Sequence, residues 1–240
     1  MSPETSKEAE RIFSAIAAGA GKTKNTSVVI CPPFVFVPEL IALAGKKKIA
    51  IGAQDVFPEG GGSYTGAVSV KMLASLGVRY VIVGHSERRQ LGETDEMVNK
   101  KAALVLKNGM KPIICIGEGK RDEEGHYLSA IRSQIEKALK GITKRDFSSI
   151  VIAYEPIFAI GAAEALGARE VHQMAIFIKK TIVDIYKLKT PAAIEILYGG
   201  AVNPDNAKAI ISEGGIDGLL IGRQSLMPEN FIKILLSAGS

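Results

Sequence analysis

The 240-residue sequence contains no tryptophan and only two cysteines, Cys31 and Cys115. Both cysteines lie in or beside apolar runs, which favours buried free thiols over a disulfide. The few aromatic residues do not cluster with basic ones, so no surface is predicted on which nucleic-acid bases could stack. No apolar run is long enough to cross a membrane, and the first residues lack the apolar region of a signal peptide. We therefore expect a cytoplasmic protein that binds neither nucleic acid nor membranes.

The charge and composition are those of an ordinary globular protein. The sequence has 30 basic and 25 acidic residues, a net charge of +5, with the two signs interleaved along the chain. This pattern favours a solvated surface over a nucleic-acid patch. No linker, low-complexity tract or charge block divides the chain, so residues 1–240 are predicted to form a single domain with one large core.

Apolar runs of strand type alternate with segments of helical periodicity along the chain. The predicted strands are Ser27–Cys31, Ile49–Ala53, Tyr80–Val83, Pro112–Ile116, Ile150–Ala153, Ala193–Leu197 and Gly218–Ile221. The predicted helices begin at Ser2-Pro3-Glu4 and continue with Val37–Ala44, Ser69–Leu76, Glu93–Lys107, Glu123–Leu139, Ala168–Tyr186, Asp205–Ser212 and Glu229–Leu236. Ser2 and Asn203 are each predicted to be an N-cap followed by a proline at the first helical position.

The predicted strands are uninterrupted apolar runs, which is typical of a parallel sheet covered by helices on both faces. Seven strands and eight helices suit either an open doubly wound sheet or a (β/α)8 barrel that lacks its first strand. Two observations favour the barrel. No G-x-G-x-x-G turn follows the first strand, and the glycine-rich turns of phosphate-binding type come after the last two strands, at Gly199-Gly200 and Gly222.

His85 and Glu155 each close an apolar run of strand type. An imidazole and a carboxylate presented from turns at the same end of a parallel sheet form an acid/base pair that can move protons on a small bound molecule. The alternatives are structural roles: a histidine with satisfied hydrogen bonds, and an end-of-strand carboxylate paired with an arginine.

Six motifs in one order extend this interpretation to a family. They are Gly84-His85-Ser86-Glu87-Arg88-Arg89, Gly117-Glu118, Ala153-Tyr154-Glu155-Pro156, Tyr198-Gly199-Gly200-Ala201-Val202-Asn203, Leu220-Ile221-Gly222-Arg223-Gln224-Ser225 and the loop motif Tyr64-Thr65-Gly66. Together they closely resemble triosephosphate isomerases, from Met1 to about Leu226. The resemblance implies a TIM-type barrel that interconverts dihydroxyacetone phosphate and glyceraldehyde 3-phosphate in glycolysis and gluconeogenesis, with no cofactor and no metal.

The resemblance also implies roles for individual residues. Glu155 matches the base that abstracts a carbon-bound proton and His85 the electrophile that polarises the carbonyl; the family is a standard example of such chemistry. Glu87 and Glu118 are interpreted as supporting residues, with Glu118 as a charge partner near His85. The backbone N–H groups that bind phosphate match Gly161, Ala201, Gly222 and Arg223.

Several positions depart from the family pattern. Arg223 replaces a glycine and could add charge or crowd the phosphate, and both possibilities stay open. In the stretch that matches the family's mobile lid, Phe158 replaces a tryptophan and Gly161-Ala162-Ala163-Glu164 replaces Gly-Thr-Gly-Lys, so this lid is expected to close differently. The loop of Tyr64, Thr65 and Gly66 matches the one that docks into the second subunit of the family's homodimer.

Family members begin with a strand that ends in Asn-x-Lys, and in this sequence Met1–Thr5 stands at the junction after it. The strand and its lysine are thus missing from the 240 residues. Removing a fixed cation beside a developing enolate typically costs several kcal/mol of transition-state stabilisation. We therefore expect little or no activity and a weakened homodimer. A start recorded at an internal methionine, giving a truncated enzyme, is favoured over a natural barrel without this strand.

Two other functions remain open. A sugar-phosphate epimerase or lyase would need metal ligands or a Schiff-base lysine at a strand end, and the sequence shows neither. A non-catalytic phosphate-ligand-binding barrel or relic scaffold agrees with the missing strand, but the presence of both His85 and Glu155 argues against it.

Overall fold

Seven strands form one curled sheet in this computed structural model, which describes residues 2–23, 26–45, 47–159, 166–189 and 193–238. The strands are β1 (Val28–Ile30), β2 (Ile49–Ala53), β3 (Tyr80–Val83), β4 (Lys111–Ile116), β5 (Val151–Tyr154), β6 (Glu195–Tyr198) and β7 (Gly218–Leu219). Each strand is parallel to its neighbours and the spatial order follows the chain. The predicted α/β fold of TIM type with seven parallel strands is confirmed.

Helices follow or precede every strand in the described part of the chain. They are α1 (Ser6–Ala20), α2 (Val37–Ala44), α3 (Val70–Leu76), α4 (Ser86–Gln90), α5 (Asp95–Lys107), α6 (His126–Ala138), α7 (Ala168–Tyr186), α8 (Ala207–Glu213) and α9 (Pro228–Ala238). The count is one higher than predicted, because the residues after His85 form the short helix α4. None of the described helices is long and apolar enough to cross a membrane.

One predicted N-cap is wrong. Helix α1 is capped by Thr5, whose hydroxyl accepts a hydrogen bond from the backbone N–H of Glu8 at 3.2 Å, and not by Ser2. Asn203 makes the hydrogen bonds of an N-cap: its side-chain oxygen accepts from the N–H groups of Asp205 and Asn206, and its carbonyl accepts from the N–H of Ala207 at 3.1 Å. The regular part of α8 nevertheless begins at Ala207, two residues after the predicted start at Asp205.

Pro112 occupies the second position of β4, whereas the sequence analysis placed it at the first. Lys111 donates its backbone N–H to Arg79 on the β3 side at 2.9 Å, so the nitrogen of Pro112 faces the β5 side. The ladder to β5 begins one residue later, with Ile113 opposite Val151. The missing N–H of proline therefore falls where no ladder bond is made.

The sheet is open between β1 and β7. In the described residues β1 pairs only with β2 and β7 only with β6, so a gap separates these two strands where a barrel lacking its first strand would be open. The outer layer of helices is nevertheless continuous here, because α1 packs on α9. Gly19 makes this contact possible: a Cβ at this position would lie 2.6 Å from Cγ1 of Ile232.

Both faces of the strands are apolar. One face packs against the helices and forms the larger core cluster. The other face carries a small cluster on the inside of the curled sheet, made of Ile82, Ile113, Cys115, Val151 and Ala153. Burial on both sides explains why the strands read as uninterrupted apolar runs in the sequence.

Candidate active site

His85 and Glu155 meet at the carboxyl ends of β3 and β5. His85 comes two residues after the end of β3, and Glu155 directly follows β5. The Nε2 atom of His85 lies 3.3 Å from Oε1 of Glu155. These residues are separated by seventy positions in the chain and by β4 in the sheet, so only the curl of the sheet brings them together.

The ring of His85 is oriented by the helix that it caps. Nδ1 accepts a hydrogen bond from the backbone N–H of Glu87 at 3.3 Å, in the first turn of α4. A ring nitrogen that accepts a hydrogen bond carries no proton, so in the neutral imidazole the proton is on Nε2, which faces Glu155. Glu87 thus supports His85 through its backbone, while its carboxylate is exposed and 3.8 Å from Nδ1.

Both carboxylate oxygens of Glu155 have partners although the residue is only 2% exposed. Oε1 faces His85, and Oε2 accepts a hydrogen bond from the N–H of Ser86 at 3.2 Å. The pKa of Glu155 is raised, because burial disfavours the charged form more than His85, the Cys115 thiol and the Ser86 N–H favour it. A buried carboxylate with a raised pKa is a stronger base than an exposed one.

Two glycines leave room for the backbone and side chain of Glu155. A Cβ on Gly117 would overlap the carbonyl oxygen of Glu155, and one on Gly199 would lie 3.0 Å from its Cγ. The N–H of Glu155 also donates to the carbonyl of Ile116 at 2.8 Å. The chain after β4 and the chain after β5 therefore touch, and glycine is required at the point of contact.

Glu118 does not lie where the sequence analysis expected it. Its Oε1 accepts hydrogen bonds from the Tyr154 hydroxyl at 2.8 Å and from Nε of Arg121 at 2.9 Å. Glu118 thus contacts Tyr154, the residue before Glu155, and its carbonyl accepts from the N–H of Ile157, two residues after Glu155. The interpretation of Glu118 as a charge partner of His85 is therefore replaced by a pairing with Arg121.

Three of the four candidate phosphate-binding residues line one cavity with His85 and Glu155. The cavity has a volume of about 1460 Å³, and Ala201, Gly222 and Arg223 are part of its wall. Gly161 and the other residues of the lid stretch between 160 and 165 lie outside the described residues. The cavity continues through the gap between β1 and β7 to apolar residues of α1 and α9.

Among the described residues that line this cavity, two carry a permanent positive charge: Arg88 and Arg223. Arg88 is neutralised by Asp55, with Nε 2.9 Å from Oδ2. Arg223 is exposed, and it forms no ion pair with any described carboxylate. An anion that enters the cavity would therefore find Arg223 as its unpaired positive charge.

The loop of Tyr64, Thr65 and Gly66 lies apart from this cavity. None of its three residues is in the described lining. The ring of Tyr64 packs on Phe57 with 4.4 Å between ring centroids, yet 48% of Tyr64 is exposed. The structure thus separates the candidate dimer loop from the candidate active site.

Sequence reasoning missed three residues that hold the site together. The buried Cys115 thiol interacts with the Glu155 carboxylate and favours its charged form, and Ser86 binds the same carboxylate through its backbone N–H. Arg89 donates to the carbonyls of Gly84 and Cys115, which joins the ends of β3 and β4. Cys115 and Arg89 stand inside or beside the quoted motifs, but backbone acceptors give no signal in a sequence.

Comparison with known proteins agrees with this geometry. The family model described as triosephosphate isomerase matches residues 2–238. A triosephosphate isomerase of Thermoanaerobacter sp. (strain X514) is 44% identical over 216 residues, covering 89% of this chain and 87% of that protein. One from Moorella thermoacetica is 41% identical over 233 residues, covering 96% and 93%. One from Chloroflexus aurantiacus is 37% identical over 234 residues, covering 97% and 94%.

These matches extend over nearly the whole chain and include both the strands and the turns that carry His85 and Glu155. They agree with a sheet of seven parallel strands whose carboxyl ends present a histidine and a buried glutamate to one cavity. The chain therefore belongs to the triosephosphate isomerase family.

Proposed function

We propose that this chain catalyses the interconversion of dihydroxyacetone phosphate and glyceraldehyde 3-phosphate. The observation that carries the proposal is the 3.3 Å approach of His85 Nε2 to Glu155 Oε1 inside a cavity wide enough for a triose phosphate. Family membership supplies the substrate and the reaction, and the geometry supplies a base and a hydrogen-bond donor side by side.

In this mechanism Glu155 removes a proton from the carbon next to the substrate carbonyl and returns it to the neighbouring carbon. Burial raises the pKa of Glu155, which brings its proton affinity closer to that of the carbon acid. His85 donates a hydrogen bond from Nε2–H to the carbonyl oxygen as negative charge develops there, because Nδ1 already accepts from the Glu87 N–H. The proton that this oxygen gains comes from the neighbouring hydroxyl, whose oxygen becomes the new carbonyl. The two side chains thus divide proton transfer and charge stabilisation between them.

We further propose that the substrate phosphate lies against Ala201, Gly222 and Arg223. The side of Gly222 on which a Cβ would stand is open space, so a ligand can approach the backbone closely. The unpaired guanidinium of Arg223 would add Coulombic attraction for a dianion. This arrangement favours added charge over crowding as the effect of the Gly-to-Arg departure from the family.

A homodimer in the cytoplasm completes the proposal. The exposed apolar ring of Tyr64, at the loop that matches the family's docking loop, supports a subunit interface there. The free thiols of Cys31 and Cys115 agree with a reducing compartment.

The test is a coupled assay of glyceraldehyde 3-phosphate isomerisation by the 240-residue chain and by a version preceded by a strand ending in Asn-x-Lys. Slow turnover is expected without the added segment, because the described cavity lining contains no lysine and is open to water between β1 and β7. The extended version should be faster by orders of magnitude. Glu155→Ala should abolish the gain, and Glu136→Ala, on the exposed face of α6, should keep it. Equal rates with and without Glu155 would refute the assignment.

A second function is kept because the sheet is open between β1 and β7: a non-catalytic barrel that binds phosphate ligands. Titration with inorganic phosphate separates the two functions. Binding that is about tenfold weaker in Arg223→Gln than in the control Arg132→Gln, together with turnover that does not depend on Glu155, would favour the binding protein.

A further inference from the structure

Five side chains surround the guanidinium group of Arg121. Nε donates to Glu118 at 2.9 Å, Nη2 to the Tyr154 hydroxyl at 2.9 Å and Nη1 to Glu170 at 3.3 Å. The guanidinium carbon also lies 5.0 Å from the centre of the Phe158 ring and 5.1 Å from that of Tyr127, both within cation–π range. All three nitrogens are therefore used, each with a different partner.

The partners of Arg121 enclose Glu155 along the chain. Tyr154 precedes Glu155, and Phe158 follows it by three residues. Glu118 binds the same stretch twice, because its carboxylate accepts from Tyr154 at 2.8 Å and its backbone carbonyl accepts from the N–H of Ile157 at 2.9 Å. The backbone that carries the Glu155 carboxylate is thus held on both sides by one cluster.

The same guanidinium reaches the first turn of α7. One oxygen of Glu170 accepts from Arg121, and the other accepts from the N–H of Gly167 at 3.1 Å. Arg121 therefore connects Ile157–Ala159 with the start of α7, the two described segments on either side of residues 160–165.

An arginine is needed at position 121 because it neutralises a buried carboxylate, that of Glu118. Glu118 is 3% exposed, and Arg121 is the cation paired with it in the described part of the chain. A buried carboxylate without its cation is strongly destabilising, and lysine cannot reproduce a planar group with three separately directed nitrogens.

We propose that Arg121 is a positioning residue for Glu155, which fixes the backbone on both sides of the carboxylate and so directs its oxygens toward His85 and Ser86. The catalytic consequence rests on the proposed function, whereas the positioning itself does not. It can be measured without substrate, because the N–H of Ser86 is protected by its hydrogen bond to Oε2 of Glu155.

The experiment is amide hydrogen exchange of Ser86, followed by NMR in the 240-residue chain. Arg121→Met should speed exchange at Ser86 by about tenfold or more, while Arg132→Met, which removes an exposed ion pair on α6, should leave it unchanged. Unchanged exchange at Ser86 in Arg121→Met would overturn the proposal.

A double variant separates positioning from simple charge balance. Glu118→Gln in the Arg121→Met background removes the unpaired buried carboxylate and should recover the unfolding midpoint in urea. Ser86 should still exchange fast, because the links to Phe158 and Glu170 remain broken. Recovery of both quantities in the double variant would show that Arg121 only neutralises Glu118, and would also overturn the proposal.

Kinetics then tests the link to function in the extended, active version. Arg121→Met should lower kcat about tenfold with little change in KM, because the base is displaced while the phosphate contacts remain. If turnover proves independent of Glu155 although Ser86 exchange responds to Arg121, the positioning stands and the proposed function falls. If turnover depends on Glu155 but neither kcat nor Ser86 exchange responds to Arg121→Met, the proposed function stands and the positioning role of Arg121 falls.

Discussion

The ionised form of Glu155 is favoured by its hydrogen-bond partners but disfavoured more strongly by burial. His85 and the Ser86 N–H favour its ionised form, but burial outweighs them and the pKa is raised. A carboxyl group whose pKa is higher in the folded than in the unfolded state binds extra protons on folding. Its contribution to stability is therefore complete below the unfolded pKa and is lost as pH rises through the folded pKa.

Glu155→Gln should accordingly stabilise the protein at about pH 8 by roughly 1 kcal/mol or more, because the amide removes a buried negative charge. The gain should disappear on the acid side, where Glu155 is already protonated. Urea unfolding of both proteins across this pH range measures the difference. A stabilisation that is the same at every pH would show that Glu155 is not the titrating group.

In the extended enzyme, kcat/KM should rise with pH through the pKa of the same carboxyl.

At the scale of secondary-structure elements, the positions of β4 and β5 determine how closely the segments that follow them approach each other. Each segment alone is an unremarkable turn, but together they pass so closely that Gly117 faces the carbonyl of Glu155. The ends of neighbouring parallel strands converge as the sheet curls, and space between their loops falls accordingly.

Gly117→Ala should therefore destabilise the protein by about 3 kcal/mol or more, because the backbone of Glu155 would have to move. Gly119→Ala is a matched control two residues away, since a Cβ there would meet nothing within 4 Å. Urea unfolding midpoints of the two variants give the comparison. Equal midpoints would mean that the turn can shift at little cost.

At the scale of the whole molecule, the layer of helices is closed where the sheet inside it is open. The helices α1 and α9 pack together, whereas β1 and β7 each keep one unpaired edge in the described part of the sheet. Unpaired parallel edges beside an apolar cavity can accept another strand. The open sheet therefore affects activity, because water can enter the cavity between β1 and β7, and association, because the free strand edges can pair with another chain.

The proposed homodimer should be weak in the 240-residue chain. The loop of Tyr64, Thr65 and Gly66 has entropy to lose on docking, and the family's docking site includes a turn that is not among these residues. Sedimentation at micromolar concentrations should show mainly monomer, shifting toward dimer in the version extended by a strand ending in Asn-x-Lys. A tight dimer of the 240-residue chain that Tyr64→Ala does not weaken would contradict the proposed interface.

Much of the fold could be predicted from local patterns. The limits of β2, β3, α2 and α7 agree with the sequence analysis residue for residue, because apolar periodicity and flanking turns act over a few neighbours. The predicted N-cap Ser2 was wrong because Thr5, three residues later, offers an equivalent hydroxyl to the first turn of α1. Among the site residues, Glu87 acts through its backbone and Glu118 pairs with Arg121, which neither pattern nor motif could indicate.

The sequence by itself determined the alternation of strands and helices, the parallel sheet and the presence of His85 and Glu155 at strand ends. Only the tertiary structure decided that these two side chains meet at 3.3 Å, that Gly117 must lack a side chain and that Arg121 joins the segments around Glu155. The physical reason is range. Propensity and periodicity act between residues a few positions apart, whereas the curl of the sheet sets the distances between residues that the chain keeps dozens of positions apart.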